Sequence, residues 1–82
     1  MTIQVLLFGA CREAASGTGE MSLDLADPAT VATVWADLSQ RYPGLARFKG
    51  NVLFAVNEEY AQPEKTLAHG DILAIFPPVS GG

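Results

Sequence analysis

The chain has 82 residues, 49% of them hydrophobic and 17% charged, with 9 acidic against 5 basic side chains and a formal net charge of −4. That length makes one domain, the composition is not that of a disordered chain, and the charge argues against nucleic acid or an anionic membrane as partner, since both call for excess Lys and Arg. A single Cys and a single His exclude an internal disulfide and leave no typical zinc site, so no metal is expected and the reducing cytoplasm is the expected compartment.

The first predicted element is a strand over Ile3–Phe8, almost continuously apolar, as in a strand covered on both faces. It is too short to cross a bilayer and lacks the basic start of a signal peptide. After Gly9-Ala10, Cys11–Ala15 predicts one or two helical turns ended by Gly17. Glu20–Leu25 alternates, with Met21, Leu23 and Leu25 on one face and Ser22 and Asp24 on the other: a strand with one side in water, hairpinned to the first.

Asp27-Pro28-Ala29-Thr30 is a helix start, with Asp27 or Thr30 as cap. Val31, Val34, Trp35, Leu38 and Tyr42 then fall on one helical stripe, and Pro43-Gly44 ends it. Leu45, Ala46 and Phe48 read as a loop packed on the core. Asn51–Val56 is a further strand, Asn57-Glu58-Glu59 a turn, and Tyr60-Ala61 a short returning strand. Pro63–Leu67 is irregular, His69-Gly70-Asp71 a turn, and Ile72–Phe76 the last strand, again apolar on both faces, ended by Pro77-Pro78. The P-loop and the G-x-G-x-x-G loop are absent.

The order β, β, α, β, β predicts an α+β roll: a mixed sheet of four to five strands, first and last side by side, with one main helix on one face. Residues 1–76 form the domain and residues 77–82 an extended tail. One helix covers one sheet face, so apolar surface is left over, and a leftover patch on a small domain marks an interaction site.

The tail carries the chemistry. Asp71 is the last charged side chain; Pro77 and Pro78 stiffen the exit from the sheet, and Val79 and Ser80 lead to Gly81-Gly82. A Gly-Gly end threads through a slot that any Cβ would block, and it presents one carboxylate. A carboxylate is a poor electrophile and has to be activated, most simply as an acyl-adenylate.

Val5-Leu6-Leu7-Phe8 with Arg12-Glu13, Thr30 to Tyr42-Pro43, Ala55-Val56-Asn57, Gly70-Asp71 and above all Phe76-Pro77-Pro78-Val79-Ser80-Gly81-Gly82 resemble, over essentially the whole length, the small subunits of molybdopterin synthase, a family of ubiquitin-like sulfur carriers. The resemblance implies a β-grasp fold. It implies that an adenylating enzyme like the ubiquitin activators uses ATP and magnesium to activate the Gly82 carboxylate. A sulfur donor such as a cysteine desulfurase or rhodanese then converts it to a thiocarboxylate. The large synthase subunit, in a heterotetramer, supplies the catalytic side chains and transfers the sulfur to cyclic pyranopterin monophosphate. The chain itself holds no permanent cofactor.

By the same resemblance Phe8, Tyr60 and Phe76 fall on a hydrophobic docking surface, the competing placement being the core, where large aromatics of small domains usually lie. Cys11 is expected as a packed hydrophobe, His69 as a solvated turn residue, Trp35 as core and Glu58-Glu59 as a wet turn. Arg12 and Glu13 match the family pattern, with an ion pair or an interface contact as their open roles. Two other activities share the Gly-Gly chemistry. One is the sulfur carrier of the thiamin pathway, usually shorter and without the Phe-Pro-Pro-Val ending; the other is a ubiquitin-like modifier joined to protein lysines through Gly82.

Overall fold

A computed structural model describes residues 1–48 and 51–78. The first strand, β1 (Thr2–Leu7), pairs antiparallel with β2 (Glu20–Asp24) and parallel with β5 (Ile72–Phe76). On its other side β5 pairs antiparallel with β3 (Leu53–Val56), which turns back into β4 (Glu59–Ala61). The sheet order is therefore β2-β1-β5-β3-β4, the mixed sheet of a β-grasp roll with the terminal strands adjacent, as expected.

The main helix, α2 (Val31–Arg41), buries Val31, Val34 and Leu38. Thr30 rather than Asp27 is its cap: the Thr30 hydroxyl accepts from the Thr33 N–H at 3.3 Å, while the Thr33 hydroxyl accepts from the Thr30 N–H at 3.1 Å. A short helix, α1 (Gly9–Ala14), follows β1 and buries Cys11. The core lies between α2 and one sheet face, with Ile3, Val5, Leu7, Leu73 and Ile75 almost fully covered. No polar or charged side chain among the described residues is buried there.

Four expectations need correction. Phe8 is not in β1; it is the N-cap of α1. The segment from Pro43 is not loop but a 3-10 helix (Pro43–Phe48), because the missing N–H of Pro43 ends α2 without preventing a tighter turn; Leu45 is buried, Phe48 half-buried and Ala46 exposed. Trp35 is only half-buried and lies edge-on to Phe54 at 5.9 Å. The two apolar strands are covered on one face only: Ile72 is 44% exposed where Leu73 beside it is fully buried.

Replacing Thr30 by Ala removes the cap without touching the core. Chemical denaturation of Thr30→Ala is expected to show a loss of about 1 kcal/mol with an unchanged denaturant slope.

Candidate functional site: an open sheet face beside the tail

Alternation along the strands decides what the open face carries. In β1 it takes Thr2, Gln4 and Leu6, since Ile3, Val5 and Leu7 point into the core. In β5 it takes Ile72, Ala74 and Phe76, and the register sets Ala74 between Leu6 and Ala55. Tyr60 stands opposite Ala55 across the β3–β4 hairpin. Of these, Leu6, Ala55, Tyr60, Ile72, Ala74 and Phe76 line a shallow groove of about 720 Å³ together with Phe8, with Asn57 and Glu58 at its rim.

Phe8 and Phe76 meet as a stacked pair, ring centroids 4.8 Å apart and planes 7° from parallel. Tyr60 lies two strands away on the same face and is 81% exposed; Phe8 is 41% exposed. All three aromatics picked from the sequence thus sit on one surface, outside the core. Pro77 is half-buried and Pro78 exposed. Val79, Ser80, Gly81 and Gly82 lie outside the described residues.

The sequence reading missed Ile72 and Ala74 as members of this face. Their signal was present, in the period-2 alternation of Ile72, Ala74 and Phe76 against buried Leu73 and Ile75. It also missed what holds the rim. Asn57 and Glu58 have φ of +51° and +71°, the left-handed pair of a two-residue hairpin turn. The Asn57 amide donates to Asp71 Oδ1 at 2.9 Å, and Asn57 Oδ1 accepts from the Ile72 N–H at 3.0 Å. Asp71 Oδ2 accepts from the Ala68 N–H at 2.8 Å. One bracket therefore ties the groove rim to the start of β5.

The remaining candidates take structural places. Cys11 has no exposed surface, and burial pushes its thiol pKa up against the opposing charge of Arg47. His69 is exposed as expected, yet its Nδ1 accepts from the Thr2 N–H at 3.0 Å, joining the turn to β1. Arg12 donates from Nε to the Gly17 carbonyl at 3.2 Å, and Glu13 is exposed. Glu58 and Glu59 are both exposed, but only Glu58 lies in the turn; Glu59 opens β4 and pairs with Val56. Among the described residues no cluster of His, Cys, Asp and Glu could hold a metal, and no helix is long and apolar enough to cross a membrane.

Comparison with known proteins gives a consistent set. The family model described as the ThiS family matches residues 5–82. The chain is 38% identical over 84 residues to the molybdopterin synthase sulfur carrier subunit of Chlamydomonas reinhardtii, covering 100% of both. It is 36% identical over 80 residues to that of Arabidopsis thaliana, covering 98% of this chain and 82% of the relative. Among solved structures, SAMP1 from Haloferax volcanii matches with a TM-score of 0.86 at 31% identity, 100% of each chain covered.

The Ala68 N–H, and after it the Asn57 amide, hold the Asp71 carboxyl below its ordinary range, with a small further push from Lys65 against the cost of burial. A depressed carboxyl pKa stabilises the fold above the unfolded value, and that contribution disappears as pH falls through the folded one. Asp71→Asn should therefore melt below the wild type at neutral pH, and the two melting temperatures should converge as the solution is acidified below the carboxylate range. Thermal melts followed by circular dichroism across that range check this.

Proposed function

The chain belongs to the ThiS family, and from that membership we propose that it is a sulfur carrier of molybdenum cofactor biosynthesis, acting through the carboxylate of Gly82. The observation that carries the proposal is full-length similarity, at 38% identity, to a molybdopterin synthase sulfur carrier subunit. The Phe76–Gly82 ending favours this over the thiamin-pathway carrier.

In this proposal residues 1–76 are the docking body and residues 77–82 the arm. An adenylating enzyme in the cytoplasm, using ATP and magnesium, joins AMP to the Gly82 carboxylate, and pyrophosphate leaves. The mixed anhydride makes the carboxyl carbon electrophilic; the persulfide of a cysteine desulfurase or rhodanese attacks it and AMP leaves, and a thiol then cleaves the resulting acyl disulfide, becoming oxidised to a disulfide itself and freeing the thiocarboxylate. The loaded arm enters the large synthase subunit, where the sulfur passes to cyclic pyranopterin monophosphate. Side chains of the described body take no part in bond making. Their work is recognition: the groove around Phe8, Tyr60 and Phe76 buries apolar area against the partner, while Glu58 at its rim and Glu59, next to it in β4, tune encounter rate and salt dependence.

A second reading has its own support. The match to SAMP1, a protein named as a small archaeal modifier, at a TM-score of 0.86 and 31% identity favours a role in which Gly82 is joined to lysines of other proteins. Both roles need the adenylate. They part at the next step, which yields a free thiocarboxylate in one and isopeptide conjugates in the other.

Intact mass spectrometry of protein from its own cell is expected to show a fraction heavier by the sulfur-for-oxygen difference. Deleting Gly81-Gly82 should abolish that species with little change in thermal stability. A ladder of conjugates, with no thiocarboxylate, would replace the carrier reading by the modifier one.

Tyr60 and Phe76 separate docking from folding. Cutting Tyr60 to Ala should leave the melting temperature nearly unchanged, because the side chain is 81% exposed. Tyr60→Ala and Phe76→Ala should each weaken binding to the large subunit by about 30-fold, from about 2 kcal/mol per aromatic anchor. Titration calorimetry at low and high salt is the check. Loss of affinity in Glu58→Ala and Glu59→Ala instead would make docking electrostatic.

A further inference from the structure

β5 ends at Phe76, and the residue after it is held from the side. The Phe8 N–H donates to the Ile75 carbonyl at 3.1 Å, so the chain leaving β1 is still tied to the strand that carries the tail. One residue further, the Phe8 ring stacks on Phe76. The Phe8 carbonyl accepts from the N–H groups of Cys11 and Arg12 at 3.1 and 3.3 Å, which anchors this residue to α1 as well. Next comes Gly9, with φ of +53°; a Cβ built on it would lie 3.0 Å from Cγ of Pro77 and 3.5 Å from Cδ. Gly9 thus meets two demands at once: a left-handed backbone, and a bare α-carbon for the proline ring to lean on.

Proline has one backbone torsion locked by its ring. Where such a ring is seated against a fixed neighbour, the direction of the chain beyond it is set as well. Pro78 extends that stiff segment. We propose that Phe8 and Gly9 form a seat for Pro77 that aims the chain as it leaves the sheet, which makes them positioning residues for the reaction at Gly82. The seat stands on the geometry alone; its consequence for reaction rests on the carrier function proposed above. Ordering completed before docking is ordering that association does not have to supply, and a reacting group presented in the right direction gains rate rather than affinity.

Three variants of the full chain test this, each checked for fold by circular dichroism. Gly9→Val places bulk against Pro77; Phe8→Leu keeps most of the apolar area but removes the ring stack; Phe8→Tyr keeps the stack. Two quantities are measured. One is the Cα–Hα residual dipolar couplings of Pro77 and Pro78 relative to the sheet. The other is sulfur delivery by the loaded chain to the large subunit, resolved into maximal rate and half-saturating concentration. Gly9→Val and Phe8→Leu should shift the couplings and lower the maximal rate about tenfold or more, with half-saturation changed far less, as expected for a misaimed reactant. Phe8→Tyr should keep the wild-type couplings. Phe8→Leu carries the test if Gly9→Val does not fold. Unchanged couplings in the folded variants overturn the seat, and a raised half-saturation at unchanged maximal rate overturns its positioning role, leaving Phe8 as docking area. If the wild type carries no sulfur, the carrier function falls, and the couplings alone decide whether the seat exists.

Discussion

Two parallel neighbouring strands cannot be joined by a tight turn, so the chain has to cross a sheet face between them. Here the strands are the first and the last, and nearly everything between them is spent on that crossing: β2 beside β1, α2 over the face, β3 and β4 beyond β5. The in-register pairing of Gln4 with Ile72 through Leu7 with Ile75 brings the ends of β1 and β5 to the same level. Phe8 and Phe76 therefore meet although they stand near opposite ends of the chain. The exit of the tail and the entrance of α1 become one locus without any contact having to be added.

The same crossing leaves the second sheet face bare, and that face is graded. Along β2 it is polar: the Thr2 hydroxyl donates to Asp24, and the Gln4 amide donates to Glu20. Towards β5 and β3 it becomes apolar, through Leu6, Ala74, Ile72 and Leu53, with Tyr60 beyond them. A partner that buries the apolar side meets carboxylates at β2 and at Glu58, so charge can fix the orientation of docking while apolar area supplies its strength.

Much of this was legible in the residues. The span Ile72–Phe76, a helix cap at Asp27 or Thr30 and the adjacency of the terminal strands follow from local chemistry and chain order, and the structure decides the cap for Thr30. The coverage of the central strands was misread because an unbroken apolar run has the same appearance whether its second face meets a helix or a partner. Counting helices, one long and one short, was the better guide. The 3-10 helix after Pro43 was hidden because proline signals an end to α-helix without specifying the conformation of the next turn. The bracket from Asn57 to Asp71 and the contact of Gly9 with Pro77 join residues far apart in the chain. Neither leaves a local pattern; each appears only when the strands are laid side by side.

Cys11 lies on the buried face of α1 with no exposed surface, and burial pushes its thiol pKa up, away from the thiolate. The thiolate is the nucleophile in thioester formation and in exchange with persulfides. A chain end activated as a mixed anhydride would be consumed by any reactive thiol on its own body, closing into an unproductive macrocycle, and an incoming persulfide would be quenched there as a dead-end disulfide. With the chain's single sulfhydryl sealed in hydrocarbon, the body offers no thiolate to either species, so under the proposed carrier function electrophile and sulfane sulfur would meet only at the terminus.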